Sequence, residues 1–316
     1  MLSFRLRPVF KDYLWGGTRL ITDWGKTPDS PTLAESWELA SHKDGDNLIL
    51  DGELVGLTLS EAAKKYPAVV SPSFSGDDTF PLMVKLIDSQ QPLSIQVHPF
   101  NDYARRVEHS RGKTECWYIL NHDEGAYIYL GFSRNVSRRD FEQAITDGTV
   151  TGLLRKVYVK DGDLYFIPAG TIHAIGPGIT LAEIQENSNI TYRVYDYGRV
   201  GADGKPRELH IAKALDVTNT FPLSITPPGR AGNVLVSCSK FHVEKAFAPF
   251  TGRASGSFRF LLCLDGEGRF SCGSFECEMV KGSNVYVPAD CEEMFTLCGK
   301  SVMLAVSLNQ VKGQTS

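Results

Sequence analysis

Apolar and polar residues alternate with a period of two along much of this chain, in short runs. Phe80 to Asp88, Leu93 to His98, Glu115 to Leu120, Ala126 to Gly131, Asp163 to Pro168 and Thr180 to Gln185 are rich in β-branched and aromatic residues, with Gly, Pro, Asn and Asp between them. Successive side chains of a strand point to opposite faces, so each run predicts a strand that lines a core. Many short strands separated by turn residues predict an all-β barrel or sandwich. Helical spacing is rare. Thr58 to Lys65 opens on a hydroxyl cap. Asn135 to Leu154 carries Ser137 as N-cap, Asp140 three residues later and apolar Phe141, Ala144 and Ile145 beyond. Leu209 to Leu215 adds a further short helix.

A composition break at Phe221-Pro222-Leu223-Ser224-Ile225-Thr226-Pro227-Pro228-Gly229 reads as a linker and divides the chain into residues 1–225 and 226–316. Strand-like runs continue beyond it to Leu308, and residues 312–316 read as frayed. Gly162 to Pro168, followed by Ala169-Gly170, is echoed at the same spacing by Gly282 to Pro288, followed by Ala289-Asp290. In the second copy Glu293 takes the place of His173, and no Gln-x-His precedes it. Two related barrels are expected, of which only the first holds a metal site.

Composition narrows the function. At 316 residues with 42% hydrophobic and 22% charged residues the chain can bury a large core, and a net charge of -4 gives no reason to expect nucleic acid or an anionic membrane as partner. Met1 to Pro8 lacks the apolar run of a signal peptide, and stretches such as Phe258 to Leu264 are too short to cross a bilayer. Seven cysteines without a Cys-x-x-Cys pair, six of them from Cys238 onward, predict reduced thiols in a cytoplasmic protein.

Candidate chemistry gathers in the first half. Gln96 and His98 lie two apart on a predicted strand and share a face, Pro99 ends that strand, and Glu115 opens the next one after Gly112-Lys113-Thr114. His173 follows the corner Pro168-Ala169-Gly170. Two imidazoles, a carboxylate and a carboxamide make a first shell for one divalent metal, Zn²⁺ or equally Mn²⁺, Fe²⁺ or Co²⁺, with room left for water or substrate. His42, His109, His122, His210 and His242 fall outside this pattern and read as surface or structural. Lys85 shares a strand face with Met83 and Ile87, and a cation inside a barrel calls for an anionic partner. Arg193 shares its predicted face with Thr191 and Tyr195.

Gly162-x5-Pro168-x-Gly170-x2-His173 resembles the second cupin motif. The first cupin motif is altered, because His98 and Glu115 stand much further apart than usual. Pro92-Leu93-Ser94-Ile95-Gln96-Val97-His98-Pro99, then Gly112-Lys113-Thr114-Glu115, resembles type I mannose-6-phosphate isomerases in their short bacterial form. Tyr13-Leu14-Trp15-Gly16-Gly17, Ala34-Glu35-Ser36-Trp37-Glu38 and Ile190-Thr191-Tyr192-Arg193 extend the likeness over most of residues 1–215. The resemblance implies two cupin (jelly-roll) barrels and a zinc-dependent interconversion of mannose 6-phosphate and fructose 6-phosphate; a monomer is expected, although the sequence does not fix the oligomeric state. It implies Gln96, His98, Glu115 and His173 as metal ligands, Arg193 as the catalytic residue, Lys85, Ser94 and Lys113 along a sugar-phosphate pocket, and Glu183 as a further acid near the metal. Proton transfer between C1 and C2 through an enediolate needs a base. A metal-held water, Glu183 or another carboxylate, and Lys113 with a lowered pKa are all open for that part. Two other readings share the ligand set: a non-haem iron oxygenase, and a sugar-phosphate-binding cupin without turnover.

Overall fold

The structure, a computed structural model, describes residues 1–201 and 204–309. The chain end expected to fray lies outside the described residues. Short two-residue pairings aside, the N-terminal barrel is built from β1 (Val9–Lys11), β2 (Glu35–Leu39), β3 (Leu82–Ser89), β4 (Ile95–Val97), β5 (Glu115–His122), β6 (Tyr127–Phe132), β7 (Leu154–Tyr158), β8 (Leu164–Ile167), β9 (His173–Ile175), β10 (Ile179–Glu186) and β11 (Tyr192–Tyr195). They form a five-stranded sheet in the order β7-β6-β9-β4-β11 and a six-stranded sheet in the order β8-β5-β10-β3-β2-β1, with every pairing antiparallel. Between the sheets lies a core of Ile87, Trp117, Ile119, Ile128, Leu130, Ile175 and Leu181, which come from both of them.

Alternation along the strands is visible in where side chains go, not in how exposed they are. All eight residues of β3 and all eight of β10 are buried. The outward-facing Ile95, Val97, Ala174, Tyr192 and Val194 of the five-stranded sheet are covered by Phe141, Ala144, Ile145, Ala214 and Leu215 from two helices. The outward-facing Val84, Leu86, Cys116, Ala182 and Ile184 of the six-stranded sheet meet Val243, Phe260, Leu262, Leu304 and Val306 of the C-terminal domain. Both faces of the barrel are therefore dry, and polar side chains inside it must find partners there.

The C-terminal domain is one antiparallel seven-stranded sheet of β12 (Val234–Ser237), β13 (His242–Phe247), β14 (Phe250–Gly252), β15 (Arg259–Cys272), β16 (Phe275–Val280), β17 (Asn284–Val287) and β18 (Phe295–Ser307). Period two divides its long strands between two cores. Phe260, Leu262, Leu304 and Val306 face the first barrel, whereas Leu261, Cys263, Met303 and Ala305 face inward with Phe270, Phe295 and Leu297. The sequence echo has a structural counterpart, since β8 and β17 occupy corresponding stretches of the two copies. Each follows a glycine in the left-handed region, Gly162 at φ 85° and Gly282 at φ 87°. All seven cysteines are free thiols.

The helical expectations hold in part. Thr58 and Glu61 form a reciprocal capping box at the start of Leu59–Lys65. The last predicted helix spans Ile211–Val217. The stretch Asn135 to Leu154 is not one helix. Ser137 does accept from the Asp140 N–H at 3.0 Å, but the helix covers Arg138–Thr146 and ends before Gly148 at φ 70°, after which only a short 3-10 turn leads into β7. A glycine in the left-handed region stops a helix, and here it outweighs the apolar spacing beyond. Phe260→Ala, which empties a fully buried site between the two domains, is expected to lower stability by about 3–5 kcal/mol in a denaturant titration. A loss below ~1 kcal/mol would show that this contact does not hold the domains together.

Candidate metal centre

Register places the predicted ligands before any side-chain torsion is considered. In the five-stranded sheet His173 pairs with Gln96, and Gln96 pairs with Arg193 on its other side, so the three form one cross-strand row on the inner face. In the facing sheet Glu183 of β10 lies between Trp117 of β5 and Lys85 of β3, and Lys85 pairs with Trp37 of β2. Glu115 opens β5, two residues before Trp117. The long gap between His98 and Glu115 is filled by a helix, Asn101–Glu108, that the sequence pattern did not reveal. Its closure is hydrogen-bonded at several points. Asn101 accepts from the Gly112 N–H and donates to Glu186, which also accepts from the Thr114 N–H, while the Lys113 N–H donates to the Pro99 carbonyl. These bonds turn Lys113 and Glu115 inward beside His98.

His98, Glu115 and His173 are all but fully buried, and one potential ligand atom from each lies within 4.8 Å of the others. His98 Nε2 is 3.6 Å from Glu115 Oε2, and His173 Nε2 is 3.4 Å from Glu115 Oε1. Each imidazole places Nδ1 2.8 Å from a main-chain carbonyl, of Ile190 for His98 and of Thr171 for His173. A carbonyl only accepts, so both Nδ1 atoms carry the proton and both Nε2 lone pairs face the carboxylate. Burial keeps the rings neutral, pushing His173 down to about 4 and His98 well below its ordinary value, and Lys113 adds to both shifts.

Glu115 is the anomaly of the cluster. Neither of its buried carboxylate oxygens has a hydrogen-bond donor, and its contact with Lys113 Nζ at 2.7 Å is ionic without hydrogen-bond geometry. Burial, with Glu183 nearby, pushes it up to about 7 against the pull of Lys113. Two undersatisfied carboxylate oxygens face two Nε2 lone pairs, with the Lys113 ammonium and the Gln96 amide the donors at their edge, and such an acceptor-rich set is what a divalent cation satisfies. Gln96 stands at the edge of this set, its amide nitrogen 3.5 Å from His173 Nε2 and its oxygen accepting from Ser94 Oγ at 3.4 Å. The donor set fits a metal, with Gln96 as the fourth side chain in reach.

A chain of charges continues from the metal site across the barrel. Lys113 Nζ lies 3.3 Å from His98 Nε2 and 3.4 Å from Glu183 Oε1, and Lys85 Nζ lies 3.6 Å from Glu183 Oε1 and 3.3 Å from Glu35 Oε2. Trp117 and Trp37 donate indole N–H bonds to Glu183 and Glu35 at 2.9 and 2.7 Å. Burial works to raise Glu183, but Lys113 and Lys85, with the Trp117 donor, hold it at about 2. Burial likewise opposes the charge of Lys85, yet Glu35 and Glu183 raise its pKa. Glu35 and the two indoles were missed as site residues. The available signal was an acid and a tryptophan inside a run that must be buried. Arg193 donates from Nη1 to the Glu208 carbonyl at 3.0 Å and has no carboxylate partner among the described residues. Tyr195 does not share its face, contrary to the expectation from spacing. A bulge shifts the register so that Arg193 opposes inward Gln96 while Tyr195 opposes outward Ile95.

The family model for the catalytic domain of type I phosphomannose isomerase matches residues 3–127. The chain is 38% identical over 307 residues to the probable mannose-6-phosphate isomerase GmuF of Bacillus subtilis, covering 93% of this chain and 95% of that protein. The chain belongs to the mannose-6-phosphate isomerase family. Mannose-6-phosphate isomerase ManA of the same organism is 37% identical over 292 residues, covering 89% of this chain and 91% of its own length. A crystal structure of a mannose 6-phosphate isomerase from Bacillus subtilis superimposes with a TM-score of 0.89 at 32% identity, covering 97% of this chain and 99% of that one. The all-β, cupin-like expectation therefore stands. The match to the catalytic-domain model takes in Gln96, His98, Lys113 and Glu115, whereas His173, Glu183 and Arg193 lie beyond it and join the site through strand pairing.

His173→Ala and Glu115→Gln are each expected to leave less than about a tenth of the wild-type metal after dialysis, measured by elemental analysis, with β-sheet circular dichroism unchanged. Full metal retention in both variants would place the ion elsewhere.

Proposed function

We propose that this protein is a metal-dependent aldose-ketose isomerase that interconverts mannose 6-phosphate and fructose 6-phosphate. The observation that carries the reading is the pairing of the buried His98–Glu115–His173 acceptor set, whose Glu115 oxygens lack hydrogen-bond partners, with a buried Lys113–Glu183–Lys85–Glu35 charge chain inside a barrel of this family. His98, Glu115 and His173, with Gln96, hold the metal. Two neutral imidazoles and one carboxylate suit zinc, and a bound divalent ion supplies Lewis-acid polarisation of the sugar's carbonyl and hydroxyl oxygens.

Moving hydrogen between C1 and C2 places negative charge on oxygen and requires a proton acceptor. Lys85, Ser94 and Lys113 line the sugar-phosphate pocket, and Arg193, in the row of Gln96 and His173, offers a guanidinium without a carboxylate partner to the developing oxyanion. Glu183 accepts the carbon-bound proton in this reading. At about 2 it is a weak base while both lysines touch it, and a sugar oxygen that draws Lys113 away raises its basicity. Lys113 then donates to O1 as charge builds there and regains a proton from the O2 hydroxyl as the C2 carbonyl forms, while Glu183 returns the carbon-bound proton to C1. The site as proposed calls on no residue of a partner, and we read the protein as a monomer. Seven free thiols support a cytoplasmic protein, and among the described residues no helix is long and apolar enough to cross a membrane. Residues 226–316 act as the structural partner of the catalytic domain, residues 1–225.

A coupled assay on mannose 6-phosphate is expected to give fructose 6-phosphate, to fail after chelation and to recover on metal addition. Arg193→Ala is expected to keep its metal and to lose turnover by about 10²–10³, the cost of removing one oxyanion donor. A chelated enzyme with full activity would falsify the metal-dependent reading. Metal-loaded protein that consumes oxygen and produces no ketose would replace it with the oxygenase.

A further inference from the structure

Arg193 sits at the edge of the site with little to hold it. Its only side-chain hydrogen bond among the described residues runs from Nη1 to the main-chain carbonyl of Glu208, and its buried Nε has no partner. The charged groups acting on it include two like charges, Arg207 and Arg199, and the carboxylate of Asp196 between them. A guanidinium that depends on one carbonyl is only as well placed as the segment carrying that carbonyl.

That segment is tied down on one side by His210, whose N–H donates to the Arg193 carbonyl at 2.7 Å, and on the other by Asp196, a buried residue at the end of the strand that bears Arg193. Asp196 Oδ2 accepts from Arg207 Nε at 2.7 Å and its Oδ1 accepts from Arg207 Nη2, the two parallel bonds of a fork, one residue before Glu208. Oδ1 also accepts from Arg199, whose other Nη donates to the Pro92 carbonyl at 2.6 Å, two residues before Ser94. Arg199 is brought back over Asp196 by a tight turn in which Tyr197 at φ 57° and Gly198 at φ 69° are both left-handed and the Arg199 N–H meets the Asp196 carbonyl at 3.0 Å. A tyrosine in that region is uncommon and persists only where its surroundings over-determine it. One carboxylate thus joins three pieces of backbone: the end of the Arg193 strand, the entry to β4, and the Arg207–Glu208 segment whose carbonyl receives Arg193.

We propose that Asp196 is a positioning residue for Arg193, fixing its guanidinium toward the metal site through Arg207 and the Glu208 carbonyl. The proposal rests on the catalytic role assigned to Arg193 above. Asp196 touches neither metal ligand nor sugar in this scheme. Its loss lets the Glu208 carbonyl drift, and a displacement of about 1 Å at a catalytic group costs on the order of 10²-fold in rate.

A double-mutant cycle on the metal-loaded full chain tests this, with kcat and KM for mannose 6-phosphate and metal content as readouts. Asp196→Asn is expected to lower kcat by about tenfold to a hundredfold, with KM changed less than about threefold and metal content unchanged. Introduced into Arg193→Ala, the same substitution is expected to cost less than about twofold, because the group it positions is already gone. Asp196→Glu, which keeps the charge, recovers part of the loss. An equal fall of kcat in both backgrounds, or none in the wild-type background, overturns the proposal. If Arg193→Ala alone keeps full turnover, the role of Arg193 is what fails, and the single variant shows it. Should Asp196→Asn not yield folded protein, Arg207→Gln runs the same cycle with the same expected non-additivity.

Discussion

Charge balance inside a dry barrel is the constraint on which the site depends. Glu35, Glu115 and Glu183 face Lys85 and Lys113, and with both histidines neutral this leaves one negative charge in excess. A buried ion is tolerated only when paired and hydrogen-bonded. The indole donors of Trp37 and Trp117 and the alternation of acid and base from Glu35 to Glu115 meet that demand for every member except Glu115. The excess falls there, where burial, with Glu183 nearby, pushes the carboxyl up to about 7, and a divalent cation is the natural occupant. The metal centre completes the electrostatics of the barrel as much as it is housed by it.

The dryness comes from what covers the sheets. One sheet is roofed by helices and the other by the C-terminal domain, whose Phe260, Leu262, Leu304 and Val306 pack on the outer side chains of the strands that carry Lys85, Glu115 and Glu183. The N-terminus reinforces this junction. Phe4 exchanges main-chain hydrogen bonds with Tyr286 and stacks on its ring, and Asn284 binds both main-chain groups of Leu6. The second domain therefore excludes water from the back of the sheet that carries Lys85, Glu115 and Glu183.

Much of the site was legible residue by residue. Gln96-Val97-His98 reads as a strand with two inward groups because side chains alternate, and His173 was marked by the turn before it, where Gly170 takes φ 81°. Lys85 was placed inside the barrel by its neighbours Met83 and Ile87, and it is there. What escaped were features without a periodic signature. The bulge between Arg193 and Tyr195 breaks strict alternation, and the helix Asn101–Glu108 bears mainly charged and polar residues, so no apolar stripe announces it. Gly148 ended a helix that apolar spacing alone would have carried on.

Local sequence determined which residues point inward and where strands turn, because alternation and turn chemistry act over a few residues. It also pointed to a second β unit, through the repeated glycine-to-proline stretch whose glycines both take the left-handed region. Only the tertiary structure decided which inward groups meet. Register set the rows His173–Gln96–Arg193 and Trp117–Glu183–Lys85–Trp37, and the facing of two sheets set the distances between them. The charge on each group was decided there too, since desolvation and neighbouring ions depend on residues far apart in the chain. A carboxylate with a pKa of about 7 and another at about 2 are the same functional group, and only the fold tells them apart.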